Sequence, residues 1–225
     1  MTLAEAQRFW PTFAPSILVD ATTATVLDQG SRKTCLAMAT TTAHEIRGGF
    51  QHSLSCEYLF WSAKQRDGAP ATDGTTPQSI SAALETDGQP AELEWPYQRN
   101  LTWPSPGYGP PMQALAAPRH RRANRHTSDL TTAVSELHAA RPPVLVLAIT
   151  KSFYSPNAAG VVAPVLTEVT EAHHAVLAIG AGSLSTSTNV IVIRNSWGSA
   201  WGKNGHALLP YDYVQHCFRS ALMLD

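Results

Sequence analysis

Three short runs of β-branched and aliphatic residues, at 143–149, 175–180 and 190–193, constrain the fold of this 225-residue chain more than any other feature. Each is bounded by Pro, Gly, Ser or Asn, and none shows the three- to four-residue spacing of an amphipathic helix, so each reads as a strand. The residues before Arg141 have another texture. From Thr34 onward Leu36, Ala39, Ala43 and Ile46 fall on one helical face, with Thr34 as N-cap and Gly48-Gly49 as the stop. Residues 54–66 read as a second helix capped by Ser55, and residues 77–86 as a third, opened by Pro77. Residues 127–140 read as one more.

The remaining segments are connections. Trp10-Pro11 and Ala14-Pro15 stop any helix early, 17–19 is a brief strand, Asp28 to Ser31 a turn, and 95–118 an irregular link. A helical front and a β-rich back predict an α+β chain of two subdomains: residues 1–110, a lead-in and mainly helical part, and residues 111–225, mainly β. The length suits one large domain or two small ones sharing a core.

Composition narrows the function classes. A formal charge of -1 supports neither a nucleic-acid nor an anionic-membrane partner. No run approaches the roughly 18 apolar residues of a membrane span. The first residues lack a secretory pattern, so a cytoplasmic chain is expected, with a secreted or delivered effector left open. Three cysteines make no disulfide framework and no zinc spacing, so neither metal nor cofactor is expected, and Cys56 and Cys217 read as buried thiols. The basic stretch at 119–126 reads as a solvated loop.

The chemistry is carried by a few residues. Cys35 opens the first helix, where the positive end of the dipole favours a thiolate, and Arg32 and Lys33 lie close by. Alone, such a cysteine is a structural thiol. Gln29, in the turn before it, could join the Cys35 backbone N–H around an oxyanion. His173 and His174 precede an apolar strand, and one of them could exchange a proton with the thiol. Asn195 ends another strand, where its amide oxygen could accept an imidazole N–H, with Trp197 covering the bond.

Together, Asp28-Gln29-Gly30 with Cys35, then His174-Ala175-Val176, then Asn195-Ser196-Trp197-Gly198, Trp201-Gly202 and Gly205, resemble the papain-like cysteine peptidases. The likeness runs from about residue 19 to the C-terminus. Leu54-Ser55, Glu57-Tyr58-Leu59, Glu94-Trp95-Pro96-Tyr97 and Arg141-Pro142-Pro143-Val144 look like the family's bacterial branch.

The resemblance implies a papain-like fold with a cleft between the helical subdomain and a β-barrel-like one. It implies Cys35 as nucleophile, Gln29 as oxyanion-hole donor, His174 as base and acid, Asn195 as orienter and Trp197 as the shielding indole. His173 would stand where many relatives have Asp or Asn. The reaction implied is hydrolysis of a peptide or isopeptide bond through a thioester. Alternatives on the same fold are an inactive binding module, a transpeptidase or acyltransferase, and a toxin-like effector protease.

Departures from the family are local. Its Cys-Gly-Ser-Cys-Trp is here Arg32-Lys33-Thr34-Cys35-Leu36, so the disulfide usual at that place cannot form. Lys33 would narrow the cleft or meet an acidic substrate group. Asp73-Gly74 is the nearest candidate for the substrate shelf, and Ala172 with Leu147 for an apolar subsite. The short lead-in leads to the expectation of a regulatory protein partner, localisation or narrow specificity in place of a prodomain. The substrate expected is a peptide or protein.

Overall fold

The structure, a computed structural model, describes residues 1–68, 70, 73–101, 105–164, 167–168, 170–185 and 188–225. In chain order the described elements are α1 (Leu3–Phe9), β1 (Ala14–Leu18), α2 (Cys35–Gly48), α3 (Cys56–Asp67), α4 (Pro77–Thr86), α5 (Met112–Ala116), β2 (Asn124–Thr127), α6 (Leu130–His138) and β3 (Val144–Thr150). They continue with α7 (Lys151–Tyr154), β4 (Thr170–Ser185), β5 (Thr188–Arg194), β6 (His206–Pro210), α8 (Tyr211–Cys217) and β7 (Phe218–Leu224).

The three apolar runs are the centre of one seven-stranded antiparallel sheet in the order β2-β7-β3-β4-β5-β6, with β1 also on β4. Its hub is β4. The first half of β4 pairs with β3, from Thr150 opposite Thr170 to Val144 opposite Leu177. Along its second half β5 takes one edge and β1 the other. Gly182 makes room for β1: a Cβ there would stand 2.2 Å from the Ala14 carbonyl oxygen. The lead-in segment thus crosses the expected 110/111 division and joins the β-rich half.

Both faces of this sheet are covered, which explains why its strands are apolar throughout rather than alternating. Ala175, Leu177 and Ile179 pack with Ala37, Met38, Leu59 and Leu84 of the helical layer. Val176 and Ala178, on the opposite face, pack with Leu145, Ile193, Leu137 and Val214. Between the layers runs α2, whose small Ala37, Ala39 and Ala43 let it approach closely and whose Gly49 ends it in the left-handed region at φ 62°. Ser55 Oγ accepts from Tyr58 N at 3.1 Å to start α3, and Thr76 Oγ1 does the same for Ser79 at α4.

Several local expectations change. Thr34 precedes α2 but makes no side-chain cap; its hydroxyl shares a 2.7 Å hydrogen bond with the Tyr97 hydroxyl instead. The helix expected over 127–140 begins later, at Leu130, where the Asp129 carboxylate accepts from Thr131 N and Thr132 N. Before it the basic stretch ends in β2 and stays mostly exposed, as expected, but it is held by partners rather than forming a free loop. His120 pairs with Gln89, Arg125 with Glu136 and Asp225, and Arg122 donates to the Asp225 carbonyl. None of the described helices is long and apolar enough to cross a membrane.

Candidate active site

Cys35 is the first residue of α2, half-buried where the helical layer meets β4. Three backbone N–H groups face its sulfur: its own, that of Leu36, and that of Ala175 on β4. Burial pushes the thiol up from its ordinary value, and these amides act in the opposite sense by favouring the thiolate. The Ala175 amide places the sulfur beside the strand residue that follows His174.

His174 is buried, with Nε2 2.7 Å from Asn195 Oδ1. The same oxygen accepts from the Ser196 backbone N–H at 2.8 Å, which turns the amide oxygen toward the ring. Nε2 must then donate, and Nδ1 is left as the nitrogen that can exchange a proton. Burial lowers the imidazole to about 4, with the Asn195 bond pulling it back up. Aromatic rings wall the pair. Trp197 lies tilted over His174 with centroids 4.7 Å apart, Phe153 meets the ring edge-on, and Tyr154 stacks on Trp197 at 5.3 Å.

Gln29 is held against the far side of this group. Its Oε1 accepts from Ser196 Oγ at 2.7 Å and its Nε2 donates to the Arg32 carbonyl at 2.7 Å. A backbone bond from Gln29 N to Ser196 O at 2.8 Å joins the turn before Cys35 to the turn after Asn195. One of the two amide N–H groups of Gln29 is therefore occupied, and the second is available.

Arg32 does not act on Cys35 as the sequence suggests. Its guanidinium is buried, grips both oxygens of Glu57 at 2.6 and 2.8 Å, and lies 4.9 Å from the Tyr97 ring centroid. Its charge is thereby neutralised inside the helical layer. Lys33 is exposed. Gly74 lies beside it, with a hypothetical Cβ 3.1 Å from the Lys33 carbonyl oxygen, and the Gly74 carbonyl accepts from Lys64 Nζ at 2.6 Å; Asp73 is exposed.

A cavity of about 360 Å³ opens between the two walls, and Cys35, His174 and His173 all line it. Leu36, Pro77, Val146 and Ala175 make it mostly apolar, and Thr75, Thr76 and Arg219 complete it. Lys33, Asp73, Gly74 and Ala172 are not among its lining. Leu147 is also elsewhere, fully buried in the core on the other face of β3. The expected subsite is one residue out of register, because Val146 and Leu147 point to opposite faces of the strand. Arg219 carries no signal in the sequence, since only the pairing of β7 with β3 brings it here. Among the described residues no group of three or more His, Cys, Asp or Glu side chains is arranged to hold a metal ion.

The family model for papain family cysteine proteases matches residues 19–222, and the chain belongs to that family. Cathepsin J of Mus musculus is 26% identical over 219 residues, spanning 85% of this chain and 58% of that protein. The chain thus spans less than two thirds of that relative. Xylellain, a cysteine protease from Xylella fastidiosa, shares the fold with a TM-score of 0.77 over 94% of this chain and 87% of that one, at 22% identity. The digestive procathepsin L 3 of Tenebrio molitor larval midgut does so with a TM-score of 0.67 over 94% and 70%, at 19% identity. At these identities the two solved structures speak for the fold.

Proposed function

We propose that this chain is a cysteine peptidase in which Cys35 attacks a peptide carbonyl, His174 moves the protons and Asn195 holds the imidazole. One observation carries the reading: Cys35 and His174 line the same cavity, and His174 is fixed through Nε2 to Asn195, which frees Nδ1. Membership of the papain family supports it.

In this scheme Nδ1 takes the thiol proton, and the sulfur forms a bond to the carbonyl carbon as the C=O electron pair moves to oxygen. The Cys35 backbone N–H and the second amide N–H of Gln29 stabilise that oxygen. Collapse breaks the C–N bond, and the imidazolium gives its proton to the departing amine. Water then attacks the thioester, His174 accepts its proton, and the acid leaves with the thiolate restored. Trp197 and Phe153 keep bulk water from the His174–Asn195 bond. Lys33, Asp73-Gly74, Ala172 and His173 remain candidate contacts for substrate residues along the rim.

The test pairs labelling with cleavage. Wild type incubated with a thiol-directed epoxide peptide should gain one adduct by intact mass, and should cleave members of a peptide library, whereas Cys35→Ala should do neither. An equal adduct on Cys35→Ala, or none on wild type, refutes the assignment. Release of free acid rather than amide-exchanged product separates hydrolysis from transpeptidation.

A further inference from the structure

The cavity beside Cys35 has apolar walls, yet Arg219 is part of its lining and carries the one fixed charge among the described lining residues. None of the ion pairs among the described residues uses Arg219. Its guanidinium is instead tethered by Nη1 to two backbone oxygens, those of Phe218 at 2.9 Å and His216 at 3.4 Å. The tether anchors one corner of the fork and leaves Nη2 and Nε without acceptors among the described residues.

We propose that Arg219 is a specificity-determining residue and that this cavity selects an acidic side chain, Glu or Asp, in the substrate. The inference rests on the peptidase reading and names the substrate class for that same site. Its logic is compensation. A neutral apolar side chain entering the cavity displaces water from the guanidinium and offers nothing in return, whereas a carboxylate meets the unused donors of a fixed planar fork. Leu36, Pro77, Val146 and Ala175 lower the local dielectric around that pair and pack on the methylenes of the acidic side chain. The described lining contains no carboxylate to oppose it. Acid recognition therefore belongs to Arg219, not to Lys33, whose side chain lies outside the cavity.

The experiment is a positional scan of fluorogenic peptides in which each position carries in turn Glu, Gln, Asp, Asn, Leu or Lys, read as relative kcat/KM. Wild type should favour Glu over Gln, or Asp over Asn, by about two- to fivefold at one position, the return of one ion pair to a guanidinium that is itself exposed. Arg219→Met, which keeps an unbranched stem without the charge, should erase that ratio, and Arg219→Glu should turn the preference toward Lys. Cleavage without an acid-over-amide preference at any position overturns the inference while leaving the peptidase reading intact. So does a preference that survives in Arg219→Met. Failure of wild type to cleave any peptide overturns both.

Discussion

The substitution Glu57→Gln removes one charge from the most buried ion pair among the described residues. The side chains of Arg32 and Glu57 are 3% and 0% exposed, and two hydrogen bonds join them. Burial works against the charge on Arg32, and Glu57 outweighs it by hydrogen bonding and by its charge, holding the guanidinium pKa above its ordinary value. In the variant the guanidinium stays buried beside a neutral amide, without a counter-charge, a loss of about 3–5 kcal/mol. For a domain of this size that lowers Tm by about 6–20 °C. Guanidinium titrations followed by tryptophan fluorescence measure the first quantity and calorimetry the second. Arg32→Met combined with Glu57→Leu removes both charges and should recover most of the loss. Full recovery is not expected, because the Gln98 N–H, 2.9 Å from Glu57, and the Tyr108 hydroxyl lose their acceptor. A single variant within about 1 kcal/mol of wild type refutes the reasoning. So does a double variant no more stable than the single one.

Three further outcomes follow from the site and the core. In His174→Ala the proposed proton acceptor is gone and burial acts on Cys35 without it, so the pH midpoint for iodoacetamide alkylation should move above that of wild type; coincident profiles would refute the proposed coupling of the two groups. Asn195→Ala deletes the acceptor of His174 Nε2 and should lower kcat at least about tenfold with a smaller change in KM, measured on the best library peptide. Stability should fall on acidification from about pH 6.5. His44 and His174 are lowered to about 4, His206 to about 3 and His126 is lowered as well, in each case first by burial, so the unfolded chain binds these protons more readily than the folded chain does. Glu45 and Glu92, raised to about 7 by burial, oppose the trend because their folded forms hold protons that the unfolded chain has released. Four histidines against two carboxylates leave a net loss toward pH 4.5, readable as the denaturant midpoint across a buffer series.

What the sequence reveals depends on whether the cause is local. The start of α2 at Cys35 is legible because its signal, apolar spacing ending at a glycine pair, lies within the helix. Gln29, His174 and Asn195 are legible as a pattern in order, and the structure brings His174 to Asn195 and Gln29 to Ser196. Partnerships between distant segments are not. Thr34 looks like a cap because nothing nearby discloses Tyr97, and Arg32 looks like a free cation because nothing nearby discloses Glu57. The basic stretch looks unpartnered because its acceptors, Glu136 and Asp225, come from α6 and the chain end. The cavity lining fails for a stricter reason. Assigning Leu147 rather than Val146 is an error of one residue, and in a strand that reverses the face.

The departure from the family pattern around the nucleophile also becomes intelligible through Arg32. The position where relatives place a cross-linking cysteine carries instead a side chain that reaches α3 and takes hold of Glu57, the Gln98 carbonyl and the Tyr97 ring. A native disulfide in a small domain contributes about 2–5 kcal/mol, chiefly by restricting the unfolded chain. The ion pair does not restrict the unfolded chain. It penalises a partly open state, in which either charge would be buried without its partner. That connection matters at this place, because the Arg32 carbonyl also receives the Gln29 side-chain amide. The bidentate pair sets the direction as well as the distance of approach. Acting from a residue three positions upstream of Cys35, the clamp ties the position of Gln29 to the integrity of the helical layer, without requiring an oxidising compartment.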